Sequence, residues 1–162
     1  MALPAPTPRL SARALVSDAE FSAFLTTILS NNSGMDTATG SRILEQALAF
    51  VATAASRPGT VMVPSRVVDE GWHTLLLHTG AYYRLCAGFG NFVHHIPEAP
   101  DVTRFSQAAI DRTVTLIAAA GYVVDLALWR APDDQPVPVA AKCQHSDDSG
   151  PIVIIPKPKP AG

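Results

Sequence analysis

Apolar residues recur at helical spacing in successive stretches of this chain, each bounded by residues that start or stop helices. Phe21, Phe24, Leu25 and Ile28 share one face after Ser17-Asp18-Ala19-Glu20, where Ser17 and Glu20 can each satisfy a backbone donor at a helix start. Asn31-Asn32-Ser33-Gly34 ends that element. Asp36 or Thr37 caps the next, in which Ile43, Leu44, Ala47, Leu48 and Val51 form one stripe until Arg57-Pro58-Gly59 stops it. Thr60 to Val63 reads as an extended or buried connector. Pro64-Ser65 opens a third helix to about residue 77, and AYYRLCAGF continues as a shorter fourth. Residues 104 to 120 form the last helix, with Phe105, Ala109, Ile110, Val114 and Ile117 inward and Gly121 as its stop. YVVDLALW after it is either a strand-like segment or a final helical turn.

These periods predict an all-α fold, a compact single-domain bundle of about five helices with proline-rich, largely irregular termini. The organisation is a mobile N-terminal arm over 1–14, a helical domain over 15–130 and a proline-rich C-terminal tail over 131–162. Prolines and Asp pairs give the tail little core to contribute, so it is expected to be dispensable for folding. The apolar run IVII at 152–155 is the exception, a segment able to dock on the body.

Composition narrows the classes of function. A chain of 162 residues with 48% hydrophobic and 16% charged residues is globular and sized for one domain. A net charge of −2 leaves no basic footprint, so nucleic acid and anionic membrane are not expected partners. The start MALPAPTPRLSARALV lacks the apolar core of a signal peptide, and no run reaches the roughly 18 uninterrupted apolar residues of a spanning helix. A soluble, cytoplasmic protein is the expectation, and the two cysteines do not make a disulfide framework.

Ionisable residues concentrate in DEGWHTLLLH, residues 69 to 78. On a helix Asp69 and His73 lie one turn apart on the face that also carries the apolar stripe. A buried carboxylate requires a cation, a metal or a histidinium. Glu70 sits roughly 60° around the helix from His73 and is able to share the site. His78 falls at the helix end. In the FVHHIPE segment His94 and His95 point in opposite directions if extended, so one of them faces the site. Asp69, His73, His78 and one of His94 and His95 are therefore candidate metal ligands, and His plus carboxylate suits zinc or iron, with copper as an alternative. Asp69, Glu70 and His73 are the candidate catalytic groups, and Trp72 and Tyr82 the candidate substrate-binding walls. Cys86 reads as a small buried hydrophobe and His145 as solvent-exposed; Cys143 beside it is able to take up adventitious metal.

The stretch VPSRVVDEGWHTLLLHTGAYYRLCAGFGNFVHHIPE, about residues 63 to 98, resembles the core signature of the glycine-rich-domain-containing protein-like family. The matching positions are Pro64, Asp69, Trp72, His73, His78, Tyr82, Cys86, His95 and Pro97. The resemblance implies a helical domain with a polar centre. The chain has no glycine-rich extension, so the signalling and RNA-associated roles of long plant members do not carry over.

Three functions from different classes follow. One is a metal-dependent tailoring or accessory enzyme in which a divalent ion activates water or an oxygen of a small-molecule or peptide substrate. A second is a non-catalytic protein-interaction module whose Asp-His cluster is structural and whose proline-rich ends recruit a protein partner. The third is thiol chemistry at Cys86, which requires an exposed sulfur of low pKa.

Overall fold

A computed structural model describes residues 9–99, 102–130, 137–140, 144–146 and 151–153. Among them five α-helices form: α1 Asp18–Asn31, α2 Thr37–Ala55, α3 Arg66–Leu77, α4 Thr79–Gly88 and α5 Gln107–Ala119. Single 3-10 turns occupy Ala12–Leu15, Val102–Arg104 and Leu126–Trp129. No strand is present among the described residues, only isolated bridges such as Leu10 with Tyr122. The all-α architecture is the one that the apolar periods predict.

Four of the five helices begin where a side chain takes up free backbone donors, and α4 alone, following directly on α3, has no side-chain cap. Ser17 and Glu20 form the reciprocal cap of α1, Asp36 rather than Thr37 caps α2, and Ser65 caps α3. The last helix is shorter than its apolar pattern: Ser106 accepts from the Ala109 N–H and starts α5 at Gln107, leaving 102–104 as a separate turn. Gly121, at φ 94°, supplies the left-handed residue after that helix. The ambiguous segment beyond it becomes a bridge at Tyr122 and a 3-10 turn at Leu126–Trp129, because Gln46 of α2 ties it down. The Gln46 side chain donates to the Val123 carbonyl and accepts from the Asp125 N–H and the Trp129 indole.

Helix α2 is the central element, buried along nearly its whole second half, with α1, α3 and α5 packed around it. Its closest neighbour is α3, and Gly71 is what permits the approach. A Cβ at that position would lie 2.8 Å from the Ala47 Cβ and 3.0 Å from the Ile43 carbonyl oxygen. Main chain cannot yield as a flexible side chain does, and the gain in helix propensity offsets only part of the strain. Gly71→Ala is therefore expected to cost about 1–3 kcal/mol in denaturant unfolding, and an unchanged midpoint would contradict this packing.

The ends of the chain are not idle. Leu10 pairs with Tyr122 and Ala12 is buried, so the described part of the N-terminal arm lies on the body; residues 1–8 are outside the described set. In the C-terminal tail, Ile152 and Val153 are buried and His145 is only 7% exposed. Val153 pairs with Val93, and Gln144 pairs with Glu98. The expectation of a solvent-exposed His145 is corrected, because these two pairings carry the tail onto the loop after α4.

Candidate metal centre

The Ser65 cap sets the register of α3, so that Asp69, one turn in, points into the protein and is 1% exposed. Three imidazoles converge on its carboxylate. His95 and His145 each place Nε2 3.0 Å from Oδ1. His73, one turn further along α3, places Nε2 3.2 Å from Oδ2. The Nε2 atoms of His73 and His95 lie 2.8 Å apart. One ligand atom each from Asp69, His95 and His145 falls in a group whose members are all within 4.8 Å of one another.

Aromatic and backbone contacts hold this arrangement from behind. Trp72 lies under the histidines, its ring centroid 4.6 Å from that of His95 and 5.5 Å from that of His145. The indole N–H donates to the Tyr82 hydroxyl, which donates to the Val93 carbonyl two residues before His95. Burial pushes the Tyr82 phenol up, which keeps that proton in place. On the other side the His94 N–H donates to the Ile152 carbonyl, and the Ser146 hydroxyl donates to the Glu98 carboxylate. The loop carrying His95 is thus clamped between α3, α4 and the tail.

The expected ligands separate accordingly. Asp69, His73 and His95 come together. His94 instead turns its ring to Phe92. His78 stands at the α3–α4 junction, hydrogen-bonded to Thr27 at 2.8 Å with its ring against Phe24, because the chain turns there and swings it toward α1. Neither belongs to the cluster. Trp72 and Tyr82 are fully covered and bonded to each other, so they support the histidines rather than line open space. Glu70 is buried, and its Oε1 accepts from the Asn32 amide at 2.8 Å, while the Asn32 carbonyl accepts from the Ala140 N–H of the tail. His145 is the member that sequence reasoning missed; the docked apolar run seven residues further on was the available signal. Cys86 is buried and burial raises its thiol, the opposite of an activated nucleophile. Cys143 lies outside the described residues.

Burial alone would raise the pKa of Asp69, but the hydrogen bonds from His145, His73 and His95 outweigh it and hold the carboxyl well below the usual range. Burial works against the charged form of His73, yet the Asp69 hydrogen bond and the charges of Asp69 and Glu70 raise its pKa.

The 2.8 Å contact of His73 and His95 constrains where protons can sit in this cluster. If all three Nε2 atoms carry hydrogen, the carboxylate is satisfied but two N–H groups oppose each other across the 2.8 Å contact of His73 and His95. If one of that pair gives up its hydrogen, its lone pair faces a carboxylate oxygen. A cation between Asp69 Oδ1 and the lone pairs of His95 and His145 leaves His73 free to donate to Oδ2, and both conflicts vanish. Ligand atoms around a tetrahedral zinc with bonds of about 2.0–2.1 Å stand roughly 3.3 Å apart, close to the 3.0 Å separations from Oδ1 found here.

A cleft of about 690 Å³ opens beside the cluster, lined by Asn31, Glu70, His73, Leu76, Leu77 and His95, with Ala140 at its edge. Of the clustered histidines His73 is the most accessible, with its side chain 32% exposed.

A family model described as UCP032817-like matches residues 11–130. The chain belongs to the UCP032817-like family. That match replaces the resemblance to the glycine-rich-domain-containing proteins, for which there is no support: the shared Trp-His and His-x-Pro pieces are individually short and do not identify a family. No curated protein and no solved structure matches the chain. Asp69, His73 and His95 fall inside the UCP032817-like region and His145 beyond it. Among the described residues no helix is long and apolar enough to cross a membrane.

Proposed function

We propose that this UCP032817-like protein is a metal-dependent enzyme in which Asp69, His95 and His145 hold a divalent ion, zinc or iron. The observation that supports this is the convergence of Asp69 Oδ1 with the Nε2 atoms of His95 and His145, 3.0 Å from each, in a group whose ligand atoms all lie within 4.8 Å of one another. Two histidines and one carboxylate are a ligand set used for zinc and for non-haem iron(II), and three protein ligands leave a position for water or substrate. His73, beside that position, is hydrogen-bonded to Asp69 and faces the cleft. When bound, the ion would supply Lewis acidity to a water or to a substrate oxygen. The substrate would be a small molecule or peptide reaching the centre through the cleft.

Protein purified without a histidine tag is expected to carry about one equivalent of zinc or iron by elemental analysis, and chelation is expected to lower its melting temperature. His95→Ala and His145→Ala should each lose the metal. The pH dependence has a definite sign. In metal-free protein, the depressed folded pKa of Asp69 stabilises above the unfolded value of about 3.9 and is lost only as pH falls through the folded value. The raised pKa of His73 stabilises fully below about 6.5 and is lost as pH rises through its folded value. Metal-free protein should therefore lose stability as pH rises above about 6.5, whereas metal binding, which requires deprotonated ligands, is not weakened by that rise. The drop in melting temperature on chelation should widen over that range. No stoichiometric metal and a chelator-insensitive melting temperature would leave the cluster as a structural device of an interaction module.

A further inference from the structure

The cleft beside the centre has a polar end and an apolar end. Glu70, His73 and Leu76 follow one another on α3 at spacings of three residues, and Leu77 stands four after His73, so they form a continuous stripe along the cleft wall. With a rise of about 1.5 Å per residue, Leu77 stands about 6 Å along the axis from His73. Leu77 is 65% exposed. One exposed leucine is ordinary; two in succession on the wall that leads to the polar cluster make an apolar shelf. Among the described residues no lysine or arginine lines the cleft, and the carboxylate-bearing Glu70 stands on its wall. Among these described lining residues a phosphate or dicarboxylate would find no cationic side chain of lysine or arginine.

Asp69, His95 and His145 occupy the buried side of the centre, their side chains 1%, 13% and 4% exposed. His73 and His95 both line the cleft, which is therefore the side from which a small molecule can approach the centre. We propose that the cleft binds a small molecule with one metal-coordinating oxygen headgroup and an apolar body, the head beside His73 and the body along Leu76 and Leu77. The inference rests on the metal-dependent reading and adds the class of ligand to it.

The test uses the full chain loaded with zinc, its metal content measured before and after titration with acetohydroxamate, hexanohydroxamate and inorganic phosphate by calorimetry. Hexanohydroxamate is expected to bind at least about tenfold more tightly than acetohydroxamate, since its added methylenes leave water for the leucine shelf. Inorganic phosphate is expected to bind more weakly than either. Leu77→Ser, at an exposed position that the fold tolerates, should cut the ratio of the two hydroxamates to about twofold or less. Leu126→Ser, equally exposed but elsewhere on the body, should leave the ratio unchanged. Equal affinity of the two hydroxamates, a ratio untouched by Leu77→Ser, or phosphate as the preferred ligand would overturn the inference while the metal reading stands. Stoichiometric zinc that accepts no hydroxamate would mean a closed site and would overturn it too. Failure to load zinc or iron would sink the metal reading and this inference with it, whereas loss of bound zinc to acetohydroxamate would overturn this inference alone.

Discussion

Asp69→Ala is expected to abolish metal uptake and to destabilise the protein by about 3–5 kcal/mol, because it leaves buried imidazoles without the group they converge on. The three contacts at 3.0, 3.0 and 3.2 Å would all be lost. Denaturant unfolding of the metal-free variant against metal-free wild type isolates the structural part of the loss, and elemental analysis reports the rest. The comparison with His78→Ala is informative. His78 bonds Thr27 on the far side of the α3–α4 junction, so its removal should leave metal content intact. A metal-free Asp69→Ala protein as stable as wild type would mean that the cluster is not held together through this carboxylate.

Truncation after Arg130 is expected to lower the melting temperature by about 10 °C, a loss of about 4 kcal/mol. Ile152 and Val153 are 2% and 5% exposed, and burying an aliphatic side chain is worth about 1.5–3 kcal/mol as an upper range. The same cut removes the Ala140 N–H that Asn32 accepts, the pairing of Gln144 with Glu98, and His145 itself. This reverses the dispensability that the tail's prolines and Asp pairs suggest. Differential scanning calorimetry of the chelated proteins separates the packing loss from the loss of metal. An unchanged melting temperature under chelation would show that the docked residues contribute no net stability.

Those two expectations differ in how far they were legible before the fold was known. Asp69 and His73 could be paired from spacing alone, because i and i+4 share a face of any helix and the Ser65 cap leaves the register little freedom. The choice between His94 and His95 could not be made that way. Alternation says that one points in, but the sign depends on Tyr82 holding the Val93 carbonyl and on the Ile152 carbonyl receiving the His94 N–H. His78 looked equivalent to the others because its distance along the chain is short, yet the turn into α4 sends it to α1. His145 was unreadable in its own surroundings, a polar stretch of Lys, Gln, Ser and Asp.

What the sequence by itself determined is local: the existence of the five helices, the Ser17 and Ser65 caps, the Gly121 stop and the placement of a carboxylate and an imidazole on the inner face of α3. Periodicity and capping act within a few residues, so they can be read without a partner. The meeting of α2 and α3 at Gly71, the seating of the tail by Ile152 and Val153, and the arrival of His95 and His145 at one carboxylate oxygen were decided only by tertiary structure. Those contacts join residues 26 and 76 positions apart, and their geometry depends on how separate elements pack, which no local pattern encodes.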